Sequence, residues 1–479
     1  MRIVFFFLLL CLSGTAQFSG TNLLEYQYGK LPDNNENMFH GVYSKPILNY
    51  RWGKFRTSAG LQIYQSPYAD RNYTDISWLS TNYKNKHWDV SLGNFNSTLA
   101  RGILLRSYEI PGALLEDLSF RGKHYFYKDI LGASVGFRRK KMSLRAMWGY
   151  TLNNVFPPSV PLKDRRQDEI AALSSNFKLH KQTLGLSSIR VANNSGEIYY
   201  GAGELSGDII PNLNYYVSYA QKLSGTDRNN KTHAIYGSLN FTFDTFGISV
   251  EWKDYDNFLL GAGLNEPPAL VKEHTYKVLN RSTHVLDPSN ESGVQLEAYY
   301  SPNLNTSINL NYTKATNRLG KTFNYEEWFA EINSVFSEKT DFRVFVDYAQ
   351  DQLKNESNRF SSGFFVNHSL PYQVESLSFE FNTQTFKRDE ITTVNHVGDL
   401  TLRYKSKLFF TILSEWSNDR FLTDSSRVWL GSTINFKMNT KNTFTLFGGE
   451  RRGGPACNAG ICYEILDFKG VELRWVYRL

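Results

Sequence analysis

The chain has 479 residues, 41% of them hydrophobic, with a mean hydropathy of −0.41 and a formal net charge of +7. After Ala16 no apolar run approaches the ~18–20 residues that a spanning helix needs, which excludes a helical membrane protein. Charges of both signs are dispersed along the sequence, which argues against nucleic acid as a partner, since that calls for a clustered basic face.

The first stretch, "MRIVFFFLLLCLSGTAQF", carries one cation (Arg2), an apolar run from Ile3 to Leu12, and small residues at Gly14 and Ala16. This reads as a secretory signal peptide over 1–16, cleaved after Ala16, with an apolar region too short to span a bilayer. Cys11 follows Leu10 where a lipoprotein needs a small residue, which argues against a lipid anchor. An exported chain without a spanning helix is either soluble beyond the inner membrane or a transmembrane β-barrel.

From residue 18 onward alternating segments recur. "GVQLEAYY" sets Val294, Leu296, Ala298 and Tyr300 against Gln295, Glu297 and Tyr299. "SINLNYT" sets Ile308, Leu310 and Tyr312 against polar neighbours, and "SLSFEFN" does the same with Leu377, Phe379 and Phe381. Period two means a strand whose two faces meet different surroundings. Short turns are expected at 53–54, 84–86, 211–212, 338–339, 371–372, 405–407 and 439–442. Longer connections are expected at 66–73, 152–166, 225–231, 259–291, 388–394 and 453–463.

Short and long alternate. That is the rhythm of an all-β, transmembrane, up-and-down antiparallel β-barrel, with turns at one rim and loops at the other; a Greek-key sandwich does not keep this order. About 24 strands are expected, with a range of 22–26. The uncertain stretch is 117–151, which holds two long strands or three. Residues 17–479 then form one barrel domain. Roughly 19 residues per strand and connection, against about 10 needed to cross, leave no room for a plug, and none precedes the first strand.

The final strand, "GVELRWVYRL", places Val471, Leu473, Trp475 and Tyr477 toward lipid and Glu472, Arg474 and Arg478 toward the lumen. Other lumen-lining candidates are Glu251, Lys253, Arg343, Asp347, Glu380 and Arg403, whose charges would set a transverse field and an ion preference, or pair with one another. Aromatic residues make up 15% of the chain, as interfacial girdles or a large β core require.

In an oxidising compartment Cys457 and Cys462, close together in "PACNAGICYE", are expected to form a disulfide across a tight loop. "GGERRGG" (448–454) reads as a β-bulge feeding that loop, with lumen-lining or headgroup-binding arginines as the alternative. The longest connection, 259–291, offers Glu273, His274, Arg281 and His284 as a constriction or partner site. The ten-residue spacing of the two histidines fits no compact ligand motif, so no metal is expected, and no cofactor. With no GxSxG elbow, HExxH, phosphate loop or CxxC, the chain is not expected to be an enzyme.

Three stretches, "VSLGNFNSTLARGILLRSYE" (90–109), "EPPALVKEHTYKVLNRSTHVL" (266–286) and "GGERRGGPACNAGICYEILDFKGVEL" (448–473), resemble an uncharacterised family of outer-membrane barrels in Bacteroidota and relatives. The resemblance implies a barrel in the cell outer membrane and assigns no chemistry. Two functions follow. One is a passive, porin-like channel for small solutes, with outer-membrane lipid as its surroundings. The other is an occluded or flattened barrel serving as a structural subunit of an outer-membrane assembly or secretion complex, with outer-membrane or periplasmic proteins as partners.

Overall fold

The computed structural model describes residues 16–31, 38–117, 122–224, 232–284, 287, 289–420, 426–458 and 461–479; the expected signal peptide lies outside them. Among these residues no helix is long and apolar enough to cross a membrane. Twenty-four strands form one antiparallel sheet. The sheet closes where Ala16–Lys30 pairs with Phe468–Arg478, in register from Thr21 opposite Arg478 to Lys30 opposite Lys469. Closure leaves no unpaired edge, which a strand crossing lipid requires.

Neighbours in sequence are neighbours in space, so the barrel is up-and-down. Connections at one rim are tight, such as Gly53-Lys54 and Pro211-Asn212, and the long ones gather at the other. We call these the turn rim and the loop rim. One expected long connection, 388–394, is instead a two-residue turn: Asp389 and Glu390, both with positive φ, join Val374–Arg388 to Ile391–Tyr404.

Within the last strand Val471 and Leu473 are exposed while Glu472 is buried, so the period-two pattern separates two surroundings. Exposed aromatic side chains sit near both rims. Trp52, Phe55 and Trp88 lie at the turn rim; Tyr150, Tyr199, Tyr348 and Phe360 lie at the loop rim. Between them the outer face is mainly aliphatic, with Leu446, Leu473 and Val346 exposed and a few rings such as Phe364 and Phe379 among them, close to the banding that headgroups and hydrocarbon select.

The inner face changes character with height. In Phe55–Gln65, Gln62 and Tyr64 near the loop rim are buried, whereas Arg56 near the turn rim is exposed. Thr340–Asp351 repeats this: Phe345, Asp347, Ala349 and Asp351 are buried, and Arg343 is half-buried. Something fills the loop-rim half of the lumen and leaves the turn-rim half open. The filling is made of three connections that turn inward.

The wall strands run directly from Trp88–Phe95 to Ile130–Arg139, which pair with each other. The intervening 96–129 leaves the wall altogether and carries its own hairpin, Tyr108–Asp117 with Gly122–Lys128. The stretch 117–151 therefore contains three strands, of which two belong to the wall. The other inward segments are 257–290 and 452–467. Through the glycine-rich stretch before the latter, the ladder with the last strand runs unshifted to Arg451, while that with Arg427–Lys437 ends at Gly449. There Gly449, at φ 125°, lies so close to the neighbouring strand that a Cβ would stand 2.4 Å from the Leu430 carbonyl oxygen.

Leu473 faces outward near the middle of its strand. Leu473→Arg is expected to cost about 2–4 kcal/mol of stability in lipid vesicles, the range for a cation on the lipid face at mid-depth. Reversible urea unfolding in vesicles measures it, and a cost near zero would mean that this face does not meet lipid.

Candidate functional site: a lumen filled by three inward segments

Segment 96–129 sits against the first strands of the barrel. The Tyr73 hydroxyl donates to the Lys123 carbonyl at 2.6 Å, and the Tyr127 hydroxyl to the Ser77 carbonyl at 3.2 Å. Gln62 accepts from the Tyr43 hydroxyl (3.1 Å) and from the Tyr125 amide (2.9 Å). The Lys45 ammonium lies 2.9 Å from the centre of the Tyr125 ring and 3.1 Å from Glu109. Tyr43, Tyr64, Tyr73, Tyr125, Tyr127 and Leu114 close over these bonds as one buried cluster. Tyr43, Tyr73 and Tyr127 thus bury large rings while their hydroxyls keep partners, which suits tyrosine to a polar lumen.

The same hairpin joins an ionic hub at the barrel seam. Lys123 pairs with Glu25 and, at 2.7 Å, with Glu116. Arg451 reaches Glu472 at 2.9 Å and Glu116 at 3.3 Å, and Arg474 Nε reaches Glu25 at 2.7 Å. Burial pushes the Glu116 carboxyl up, but Lys123 and Arg451 outweigh it and hold the group below the usual carboxylate range. Glu472 and Arg474, expected to line a lumen, here tie the first strand, the last strand and the inserted hairpin together. Arg478 is exposed at the turn rim.

Segment 257–290 crosses the inner wall as a strap. Its side chains meet a row of wall acids in order: Lys272 on Glu297, His274 on Glu327 (3.2 Å), the Tyr276 hydroxyl on Glu331 (2.5 Å), and Lys277 on Asp399 (2.8 Å). Arg281 forks onto both oxygens of Glu415, with one bond at 3.0 Å. Glu331 lies past the midpoint of Lys321–Ser337, so the strap dips well below the loop rim. The Tyr276 ring stacks on Phe345 with centroids 3.8 Å apart. A short helix, Lys277–Arg281, buries Val278 and Leu279.

His284 sits between Asp351 and Glu291, at 3.3 Å from each, and stacks on Tyr325. Lys253 is the second cation on Glu291. His274 and His284 therefore enter separate clusters, and both are buried, so neither is offered to a soluble partner. Glu273 is exposed.

The remaining lumen candidates are engaged by neighbours. Glu251 accepts from the Tyr236 hydroxyl at 2.6 Å, Arg343 stacks near Tyr276 and Phe365, Glu380 accepts from Asn382, and Arg403 pairs with Glu375 at 2.8 Å. Sequence reading overlooked Glu25, Glu116, Lys123, Glu327 and Arg359, and took Arg451 only as an alternative lumen-lining or headgroup-binding cation. For Lys123 a signal existed: "KHYFYK" has polar and aromatic residues on both faces, which no lipid-facing strand tolerates.

The third segment, 452–467, closes the arrangement. Tyr463 packs on Phe126 (centroids 5.4 Å), the Leu466 amide donates to Glu116 at 3.0 Å, and Arg281 donates to the Arg452 carbonyl at 3.3 Å. Lys128 pairs with Glu266 at 2.7 Å, joining the first segment to the strap. A cavity of about 990 Å³ remains between the three, running from Val155 and Leu259 near the loop rim to Glu251 and Glu297 in mid-wall, with Arg106, Lys128 and Lys272 among its lining. A second, of about 1090 Å³, opens beneath the inserted hairpin, from Glu109 and Tyr127 down to Gly53 and Lys54 at the turn rim.

Burial pushes the His284 imidazole down, but its hydrogen bonds to Asp351 and Glu291 outweigh that and hold it above the usual histidine range. A raised folded value means stabilisation that is complete below the unfolded pKa, near 6.5, and is lost as pH rises through the folded value. His284→Gln is expected to lower the unfolding temperature most at pH 5.5, with the deficit shrinking at higher pH. A deficit independent of pH in thermal gel-shift assays would contradict a charged His284.

No curated protein matches the sequence. Among solved structures, a chain of the E. coli P pilus tip assembly intermediate PapC-PapD-PapK-PapG is similar, with a TM-score of 0.54 and 10% identity over 96% of this chain; the present chain covers 60% of that one. The P pilus usher (PapC) translocation pore gives 0.48 at 11% identity, covering 97% of this chain and 99% of that one. Pseudomonas aeruginosa OccK3 (OpdO) gives 0.45 at 11% identity, covering 75% and 97%. At such identities the likeness concerns the barrel fold alone. A family model matches residues 179–479, well over half of the sequence, and the chain belongs to that family, a family of unknown function (DUF6029).

Proposed function

We propose that this protein is a passive channel of the cell outer membrane for small solutes, narrowed by its own inward segments. The observation that carries this reading is an open turn-rim lumen together with the 990 Å³ cavity left within the filled half along Phe246–Asp256 and Glu291–Asn303. In this reading the turn rim is periplasmic and the loop rim extracellular, as in other outer-membrane barrels. Its lining carries the ion pairs Lys128–Glu266 and Lys272–Glu297 together with Arg106 and Glu251, a polar wall of both signs that selects small polar solutes by charge and size. The sequence resemblance to barrels of Bacteroidota accords with this location, as does the expected signal peptide. No side chain is assigned a catalytic role.

The second reading, an occluded barrel held in a larger envelope assembly, draws on one observation: the three segments are joined to one another as well as to the wall. A protein partner from the periplasm or outer membrane would then replace the solute.

Planar-bilayer conductance separates the two. The channel reading expects stable, repeated steps from the purified protein, and a several-fold larger step for Lys277→Glu with Arg281→Glu, which sets like charges against Asp399 and Glu415. Silence from wild type and variant alike, with folding confirmed by a heat-dependent gel shift, would favour the occluded barrel.

We also propose that Cys457 and Cys462 form a disulfide, since the short hairpin Gly454–Asn458 with Ile461–Ile465 sets their backbones directly opposite each other. The exported, unreduced protein should then take up no maleimide until a reductant is added, and immediate labelling would refute the bond.

A further inference from the structure

Two groups of buried carboxylates meet in the lumen, and they differ in how their charge is compensated. At the seam, Glu25, Glu116 and Glu472 face Lys123, Arg451 and Arg474, each in direct contact with at least one carboxylate. Under the strap, Glu327 and Asp347 are both 1% exposed and share one guanidinium, that of Arg359. Arg359 stands 3.6 Å from Glu327 and 3.9 Å from Asp347, beyond hydrogen-bond range. Its Nη1 donors instead serve the Ser282 carbonyl at 2.9 Å and Glu356 at 3.3 Å.

The shortfall is visible atom by atom. Glu327 Oε2 and Asp347 Oδ1 have no hydrogen-bond partner, although both side chains are buried. Two ionised carboxylates cannot remain buried at this separation without either a proton or a further cation between them. The third member of the cluster is His274, whose Nε2 lies 3.2 Å from Glu327 Oε1 and whose ring is held against Phe329, centroids 4.6 Å apart. One donor atom each from His274, Glu327 and Asp347 falls within 4.8 Å of the others. Small side-chain shifts bring such a set to the ~2.0–2.2 Å bonds of a zinc-like ion.

We propose that His274, Glu327 and Asp347 bind one divalent transition-metal ion of the zinc class. An imidazole with two carboxylates suits Zn²⁺ and its neighbours better than Ca²⁺ or Mg²⁺, which take all-oxygen sets. The ion supplies the missing positive charge and gives both orphaned oxygens a partner. It also bolts the strap to Lys321–Ser337 and Thr340–Asp351 at the buried level between Lys272 and Lys277. The site was hidden in the sequence because its ligands are 53 and 73 residues apart (274 to 327, and 274 to 347), far from any compact ligand spacing. The inference stands apart from the channel reading, since an occluded barrel would hold the same ion.

The test uses the full-length protein in detergent, stripped with EDTA and then titrated with ZnCl₂ by calorimetry, with a thermal gel shift on the same samples. About one equivalent of Zn²⁺ is expected, raising the unfolding temperature by several degrees. Asp347→Asn should remove both effects while staying folded, because the amide is isosteric with a protonated carboxyl and relieves the charge shortfall. His274→Gln provides the same comparison from the strap side should the first variant fail to fold. A wild type that takes up no more Zn²⁺ than these variants, with no shift in unfolding temperature, would overturn the proposal and assign the missing charge to a proton.

Discussion

Closing twenty-four strands on themselves leaves a lumen that the wall's own side chains cannot fill. The width is forced: once every backbone group in the lipid must be paired, an open edge is forbidden and the circumference follows from strand number. What remains to the sequence is how to occupy the space. Here the loop rim sends three connections inward and the turn-rim half stays open, so filling and wall are one chain and must fold together.

The two main insertions solve the problem of burial differently. The hairpin in 96–129 buries rings and places the Tyr127 hydroxyl and Lys123 on wall groups, so apolar area and polar satisfaction come from the same segment. The strap at 257–290 contributes fewer rings and relies on matching its cations to a row of wall acids. That matching fixes its path, because Lys272, Lys277 and Arg281 each have a separate partner strand. Shifting the strap by one residue would leave several buried charges without partners at once, a penalty far larger than the value of any single pair.

Much of the wall could be read from the sequence because lipid imposes a strict rule on it. Alternation in "SLSFEFN" or "GVELRWVYRL" is set by two solvents, and tight turns at 53–54 or 405–407 punctuate it. The filling obeys no such rule. In Gly122–Lys128 every residue is buried, so neither face is uniformly apolar, and the segment passes for another stretch of wall. Its departure from the sheet depends on the pairing of Trp88–Phe95 with Ile130–Arg139 across the gap, a long-range event without a local signature. The ionic clusters were illegible for the same reason. Glu327 and Asp347 look like ordinary lumen charges until the strap lays His274 over them, and Glu472 reads as a pore residue until Arg451 and Gln27 reach it.

Where such a lumen would yield first follows from these contacts. The hairpin of 96–129 is held by a buried aromatic cluster and by a hub in which Lys123, Glu25 and Glu116 are almost wholly excluded from water. One pair of the strap is wetter: Lys277 is 38% exposed and its partner Asp399 18%. Solvent screens such pairs, and each contributes little on its own. Although Arg281 on Glu415 is largely buried and Val278 and Leu279 are fully so, Lys277 can therefore part from Asp399 at lower cost than the hairpin can leave the seam. The wall needs no rearrangement when it does, because its ladders run on either side of the strap without depending on it. The least protected contact of the filling therefore lies on the strap at Lys277, while the seam holds the inserted hairpin fast.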